Sequence, residues 1–297
     1  MSGPGDPSRV ASPVSSPVAV TAERLIALGA IAARRGRERP EIARRPGTTA
    51  TRPRGQGHEI REIRPFADGD DPRHLDAAAT ARTGAPQVRA FHEDRDRALM
   101  LIADFRRPML WGTRRLRSVA MAEALALAGW QVSLDGGAVG VAVLTDDGIL
   151  SERPAPRARG MAKVAGCLAR GHAMALGLGD HPVRPLAPDL ARAGRPAPRG
   201  ARVLLGSALD IPGSGLAAAL DGLRRRGAFR VLLPIDPFEV APPALGLPYL
   251  AETGAAIGGF ARLPAARAER REWLRGLGLA AEEVPTEEVA GEMGAAV

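Results

Sequence analysis

The sequence contains few aromatic residues, one cysteine and one lysine. Phe, Trp and Tyr make up 3% of its 297 residues, so the core must be built mainly from Ala, Leu and Val. Cys167 is the single cysteine, which excludes internal disulfide bonds and cysteine metal clusters. Lys163 is the single lysine among 41 basic residues, and the abundance of Arg, Ala, Gly and Pro is typical of a GC-rich genome. The high arginine content by itself therefore says little about function.

Long apolar runs and targeting signals are also missing. No run approaches 18 apolar residues, so we expect no transmembrane helix and no membrane insertion. The first twenty residues lack a basic start followed by an apolar block, and so do not resemble a signal peptide. These features predict a cytoplasmic protein.

The net charge of +8 raises the question of an anionic partner. The arginines are spread along the whole sequence, and there are almost no aromatic side chains on which bases could stack. We therefore expect no nucleic-acid partner. A basic nucleic-acid-binding module stays as an alternative that salt-dependent binding would reveal.

The composition changes along the chain and divides it into five segments. Proline, serine and glycine dominate the start, a short amphipathic pattern follows, and a charged stretch precedes the apolar part of the chain. The predicted segments are a disordered N-terminus (1–20), a helix with a flexible link (21–54), a charged segment (55–97), an α/β domain (98–260) and a C-terminal helix with an acidic tail (261–297).

From Ala98 onward, short apolar runs alternate with helical patterns. This alternation predicts a doubly wound α/β fold, with a mostly parallel sheet and helices on both faces, on which we expect residues 55–95 to pack. A Thr-Asp-Asp-Gly turn after the second strand predicts a hairpin. The predicted strands are 99–103, 139–144, 149–153, 203–206, 231–235, 247–250 and 255–257, the predicted helices are 114–130, 159–171 and 215–226, and 177–200 is predicted to be an irregular surface connection.

Polar side chains close four of the predicted strands: Asp104, Thr145, Ser207 and Asp236. In doubly wound sheets the ligand crevice lies beyond the carboxyl ends of the strands, where the strand order reverses. These side chains are therefore the first candidates for a functional site.

The charged stretch 61–82 mixes acidic and basic residues, which favours pairs between arginine forks and carboxylates. Asp71 before Pro72 predicts an N-cap and the start of a short helix. The sequence leaves open whether these charges face a partner or pair with each other. The candidate interaction residues are Arg64, Asp70, Asp71, Arg73, Asp76 and Arg82.

This stretch resembles the segment that defines family 58 of the domains of unknown function. Ala77 departs from the family pattern, which usually has tryptophan there. A later segment resembles the closing motif of the family through Asp236, Pro237, Glu239 and Pro243. The positions that carry the first resemblance are Gly55, Gly57, Glu59, Arg64, Phe66, Gly69, Asp70, Asp71, Arg73, Leu75, Asp76, Ala81 and Arg82.

The resemblance implies a von Willebrand factor A-like domain, which agrees with the predicted fold. It also implies a role beside a MoxR-type AAA+ ATPase, whose genes commonly neighbour those of the family. The expected function is that of a non-enzymatic interaction or assembly factor for a client that the sequence does not identify.

Many von Willebrand factor A domains bind Mg²⁺ through Asp-x-Ser-x-Ser after the first strand. The corresponding loop begins with Asp104, but Arg106 and Pro108 replace the serines, and Ala208 stands where the family tends to have aspartate. We expect no metal and no cofactor, and a salt bridge from Arg106 to Asp104 or Asp210 in place of the ion. The residues of this degenerate crevice are Asp104, Arg106, Arg107, Ser207, Asp210, Asp236 and Glu239.

A hydrolase is the main enzymatic alternative, with Asp236 and Glu239 as a carboxylate pair. The five histidines lack metal-ligand spacing, and neither a Gly-x-Ser-x-Gly elbow nor a phosphate-binding loop occurs. The sequence therefore predicts no catalytic residues.

Overall fold

A computed structural model describes residues 16–38, 60–67, 72, 75–91, 98–251 and 254–287. The chain forms two compact units, of which the larger contains the described residues 16–38 and 98–287, and the smaller those from 60 to 91. The predicted disordered start before residue 16, the end of the acidic tail after residue 287, and the candidate residues Asp70, Asp71 and Arg73 lie outside the described part of the chain.

The helices and strands alternate along both units. The helices are α1 (Ala22–Glu38), α2 (Ala77–Thr83), α3 (Arg117–Leu134), α4 (Arg157–Gly177), α5 (Leu186–Ala193), α6 (Leu216–Arg224), α7 (Pro237–Val240) and α8 (Leu263–Gly276), with a short 3-10 helix at Arg107–Met109. The strands are β1 (Ile60–Pro65), β2 (Gln87–Phe91), β3 (Ala98–Asp104), β4 (Ala138–Thr145), β5 (Gly148–Pro156), β6 (Arg202–Gly206), β7 (Phe229–Ile235), β8 (Leu247–Ala251), β9 (Gly254–Gly258) and β10 (Ala280–Pro285).

Six strands of the larger unit form one sheet in the order β10-β7-β6-β3-β4-β5. All neighbours are parallel except β5, which pairs antiparallel with β4 as the predicted hairpin. Residues of β3 alternate between two apolar cores, with Leu101 on the side of α1, α3 and α4, and Met100 on the side of α5, α6 and α8. The predicted doubly wound fold with helices on both faces is confirmed.

Helix α1 packs on α3 and α4 and belongs to the first core. Leu25 and Leu28 are buried, and the indole of Trp130 on α3 donates a hydrogen bond of 2.9 Å to the carbonyl of Leu25. Gly29 lies against the Trp130 ring so closely that an added Cβ would be 3.0 Å from it. The apolar face predicted for this segment is thus buried by α3, which is itself apolar on nearly every side.

Two expectations about the larger unit are wrong. The segment 177–200 is not wholly irregular, because it contains α5, whose Leu186 and Leu190 are fully buried. Pro188 hid this helix in the sequence, although proline is tolerated in a first turn, where its missing N–H has no helical partner. The region after α8 is not only an acidic tail, because β10 extends the sheet and buries Val284. No helix in the described ranges is long and apolar enough to cross a membrane.

The smaller unit is an antiparallel pair of β1 and β2 with α2 between them. Pro72, where a short helix was expected to start, is in a 3-10 helical conformation, and its expected N-cap Asp71 lies outside the described residues; the regular helix α2 begins at Ala77 with Asp76 as its N-cap. The intervening Leu75 forms an isolated bridge with Val88, and an extended residue at this point interrupts a helix. The segment around Val88 forms β2.

Candidate functional site

The strand order of the larger sheet reverses between β3 and β6, so the crevice predicted for ligands lies beyond Asp104 and Ser207. The guanidinium of Arg106 occupies this position. Its Nε donates to Oδ1 of Asp104 at 2.9 Å, and its Nη2 donates to Oδ2 at 2.8 Å. Ser207 donates its hydroxyl to the same Oδ2 at 2.7 Å. Arg106 is 0% exposed and Asp104 1% exposed, so this is a fork-like ion pair removed from water.

Arg106 also holds the surrounding loops together. Its Nη1 donates to the carbonyl of Arg184 at 2.6 Å, and its Nη2 donates to that of Asp210 at 2.9 Å. The sequence expected a salt bridge to Asp104 or Asp210, and the structure contains the first, with Asp210 contributing only its backbone oxygen to Arg106. The side chain therefore neutralises one buried carboxylate and satisfies carbonyl groups of two separate loops.

The loop after β6 has a strained backbone. Leu209 and Ile211 adopt φ values of 58° and 47°, in the left-handed region that β-branched residues such as isoleucine rarely adopt. The Ser207 hydroxyl accepts a hydrogen bond from the N–H of Leu209 at 2.9 Å, while Arg106 binds the carbonyl of the intervening Asp210. Such strain persists only where neighbouring groups fix the conformation. Here the hydrogen bonds of the loop to Arg106 and Ser207 supply that constraint.

The carboxylate of Asp210 belongs to a second charged cluster. Arg117 donates to Asp210 at 3.1 Å and lies 2.5 Å from a carboxylate oxygen of Glu239, while its guanidinium stacks on the ring of Trp111 at 3.8 Å from the centroid. Arg270 on α8 donates to the other oxygen of Asp210 at 2.9 Å. The candidates Asp210 and Glu239 are thus brought together, but by a buried arginine that bridges them.

Asp236 directly follows β7 and caps α7. It accepts hydrogen bonds from the N–H of Thr113 at 2.8 Å, from Phe238 at 3.0 Å and from the hydroxyl of Thr286 at 3.1 Å, and a further short bond from the Thr113 hydroxyl. Glu239 completes a capping box by accepting from the N–H of Asp236. Burial opposes ionisation of Asp236, but these hydrogen bonds outweigh it and lower its pKa. The pair is therefore engaged in local structure and poorly suited to general acid catalysis.

Arg107 lies at the rim of the crevice and does not bind Asp104. Its N–H donates to Asp146 at 2.6 Å, and its partly exposed side chain approaches Asp180 at 3.9 Å. Asp146, which follows β4, also accepts from the N–H of Arg184 at 2.8 Å. This buried carboxylate ties the loops after β3 and β4 to the segment before α5.

Three candidate residues of the charged segment are described in the smaller unit, and their environments differ. Asp76 is 5% exposed and accepts from the N–H of Ala79 at 2.8 Å, so it serves as a helix cap and does not present a free charge to a partner. Arg82 is exposed in the last turn of α2, and its Nε donates to the carbonyl of Ala78. Arg64 lies in β1 and pairs with Val88 across the hairpin.

Sequence reasoning missed the bridging residues Arg117, Asp146 and Thr113. The position of Arg117 could have indicated its acidic partners, because arginine is unfavourable in the first turn of a helix unless acidic groups compensate its charge. Asp146 directly follows a buried strand and Asp104 ends one, but the Thr-Asp-Asp-Gly sequence is typical of a turn and gives Asp146 that simpler role. Nothing local marks Thr113, whose partner Asp236 is 123 positions away.

The arrangement of these groups is that of a closed ionic core. Both oxygens of Asp104 and both oxygens of Asp236 accept hydrogen bonds from protein groups. Among the residues that the structure describes, no three His, Cys, Asp or Glu side chains are grouped as metal ligands.

Comparison with known families places this geometry in context. Residues 62–263, more than half of the chain, match the family model described as "Protein of unknown function DUF58". No curated protein matches the sequence. The match spans the charged hairpin, the crevice with Arg106 and Asp104, and the cap at Asp236, and on this ground the chain belongs to the DUF58 family of proteins of unknown function.

Proposed function

We propose that this protein is a non-enzymatic interaction or assembly factor that acts in the cytoplasm with a MoxR-type AAA+ ATPase. Its larger unit serves as a von Willebrand factor A-like domain in which a buried ion pair stands in place of a metal. The strand order, with one antiparallel edge strand, supports a domain of this type.

The observation that carries the proposal is the guanidinium of Arg106 at the position where such a domain would hold its cation. A divalent ion about 4 Å from this charge would be disfavoured by roughly 8 kcal/mol at an effective dielectric constant of about 20. The oxygens of Asp104 already accept from Arg106 and Ser207. A partner therefore binds this protein through its surface and not by coordinating a shared metal ion.

The hydrolase alternative finds less support. Asp236 and Glu239 are the carboxylates proposed for it, and both are engaged in the cap of α7. Glu239 also pairs with the buried Arg117. A carboxylate that is held by a fixed cation and by backbone N–H groups has little freedom to exchange protons with a substrate.

The metal-free character of the crevice is tested by isothermal titration with Mg²⁺ and Mn²⁺. We expect no heat of binding to the purified protein. A micromolar affinity that disappears in Asp104→Ala would contradict the proposal, because the ion would then have displaced Arg106 from its carboxylate.

The partnership is tested by co-purification of the tagged protein with a MoxR-type ATPase from the same organism. We expect the charge reversals Asp70→Lys, Asp71→Lys and Arg73→Glu, made together, to reduce the amount of ATPase recovered. A matched variant reverses Asp135, Asp147 and Arg34, which are exposed on the larger unit, and should leave recovery unchanged.

Circular dichroism melting of both variants distinguishes lost binding from lost stability. If the reversed residues are internal ion pairs, the melting temperature falls together with recovery. Turnover of a peptide, ester or nucleotide by the pure protein would refute the non-enzymatic role.

A further inference from the structure

The amino edge of the larger sheet, opposite the crevice, carries a dense group of arginines. They come from the loop before β6, the first residue of β6, the end of α6 and the start of β7. All are exposed except the half-buried Arg226. The members of this arginine edge are Arg195, Arg199, Arg202, Arg224, Arg225, Arg226 and Arg230.

Backbone hydrogen bonds bring these sequence segments together. The N–H of Gly200 donates to the carbonyl of Arg226 at 2.8 Å, and that of Val203 donates to Ala228 at 2.8 Å. Arg226 also donates through its side chain to the carbonyl of Ala197 at 3.4 Å. Arginines that lie about 30 positions apart in the sequence therefore share one surface.

Acidic residues compensate only part of this charge. Asp221 pairs with Arg224 and Arg225, and Glu282 pairs with Arg230. Within the described part of the chain, Arg195, Arg199 and Arg202 have no ion pair.

Helix dipoles explain some of these positions but not all. Arg224, Arg225 and Arg226 lie at the C-terminal end of α6, where positive charge is favourable. Arg199 and Arg202 lie outside helices, and Arg202 begins a strand whose neighbours are β3 and β7. Repulsion among these charges destabilises the folded protein, and a bound anion would offset that cost.

We propose that the arginine edge is a docking surface for an acidic segment of a partner protein. Arginine side chains bind carboxylates through charge-assisted hydrogen bonds, and the surface already accommodates Asp221, beside Arg224 and Arg225, and Glu282, at 3.0 Å from Arg230. These two carboxylates would repel the continuous phosphates of a nucleic acid, whereas a protein segment can place basic or neutral residues opposite them. The described residues that form the arginine edge include no aromatic side chain on which bases could stack.

The inference is independent of the proposed ATPase partnership, since it rests on different residues. The experiment uses the full chain and a fluorescein-labelled 21-residue peptide of seven Glu-Glu-Gly repeats, with binding followed by fluorescence anisotropy at 150 mM NaCl. The test variant is Arg195→Glu/Arg199→Glu/Arg202→Glu. The control variant is Arg34→Glu/Arg170→Glu/Arg262→Glu, which changes the net charge equally at exposed sites on α1, α4 and the start of α8.

We expect the peptide to bind the unmodified protein, the test variant to lose at least about tenfold in affinity, and the control variant to change by less than threefold. Absence of binding, or equal losses in both variants, would overturn the proposal, because the net charge alone would then explain any attraction. The same titration with a 30-base-pair DNA duplex and with phosphatidylglycerol vesicles identifies the alternatives. If the DNA or the vesicles bind more tightly than the peptide, and only the test variant loses that binding, the proposal is also overturned. If the test variant melts early, Arg195→Gln/Arg199→Gln/Arg202→Gln replaces it, with at least a threefold loss expected.

Discussion

Removal of the guanidinium from the crevice is the perturbation whose outcome the structure defines most sharply. In Arg106→Met, Asp104 keeps its charge at 1% exposure and its bond from Ser207, but it loses the two guanidinium donors Nε and Nη2. The carbonyls of Arg184 and Asp210 lose their donors as well. Breaking a buried pair by removing one partner costs about 3–5 kcal/mol. For a domain of this size, the melting temperature should fall by roughly 10 °C.

Urea denaturation followed by circular dichroism at pH 7 measures this loss. Asp104→Asn should recover part of it in the Arg106→Met background, because no unpaired charge then remains. Recovery should be incomplete, since the carbonyls of the two loops still lack their donor. Arg170→Met, at an exposed arginine of α4, is the control and should change stability by about 0.5 kcal/mol or less. A loss below about 1 kcal/mol in Arg106→Met would refute the reasoning, because it would mean that water or another cation replaces the guanidinium.

Three further outcomes follow from buried groups of the larger unit. Burial lowers the pKa of His172 from its ordinary value of 6.5 to about 4, so the unfolded state binds the proton first as the pH falls. Stability should therefore be full above pH 6.5 and fall by up to about 3 kcal/mol between pH 6.5 and 4, and urea titrations of His172→Gln should show a flatter profile over that range. Burial raises the pKa of the Cys167 thiol to about 11, so a disulfide reagent at pH 8 should leave the folded protein unmodified and react rapidly in urea; rapid reaction without urea would contradict this. Leu28→Ala should cost about 2–5 kcal/mol and speed tryptic cleavage within α1, whereas Ile26→Ala, at a 45% exposed position of the same helix, should do neither.

Local sequence patterns were sufficient to predict most strands of the larger sheet. The run from Leu99 to Ala103 is apolar without alternation because β3 is covered on both faces. The Thr-Asp-Asp-Gly turn fixed the pairing of β4 and β5, since turn residues act over four positions. Two elements were missed because some of their residues disfavour the structure that they form. Helix α5 contains Pro188, and strand β10 contains two glutamates, which pair with arginines of other elements.

The candidate site was predictable only in outline. The positions of Asp104, Ser207 and Asp236 at strand ends placed them at one edge of the sheet, because parallel strands end together. Which charges pair could not be read in the same way. Glu123 interrupts the apolar stripe of α3 as a single acidic residue in the sequence, and only packing brings Arg24 of α1 and Arg115 to it, at 2.9 and 2.5 Å.

The sequence by itself determined the doubly wound fold and the location of the crevice, because both depend on hydrophobic periodicity and on residues adjacent to strand ends. Tertiary structure decided the partners of the charges. Arginines spread evenly along the chain become a buried cation at Asp104, a bridge at Arg117 and an exposed group at the amino edge of the sheet. The physical reason is that an ion pair depends on distance and burial, and both are set by contacts between residues as much as 123 positions apart.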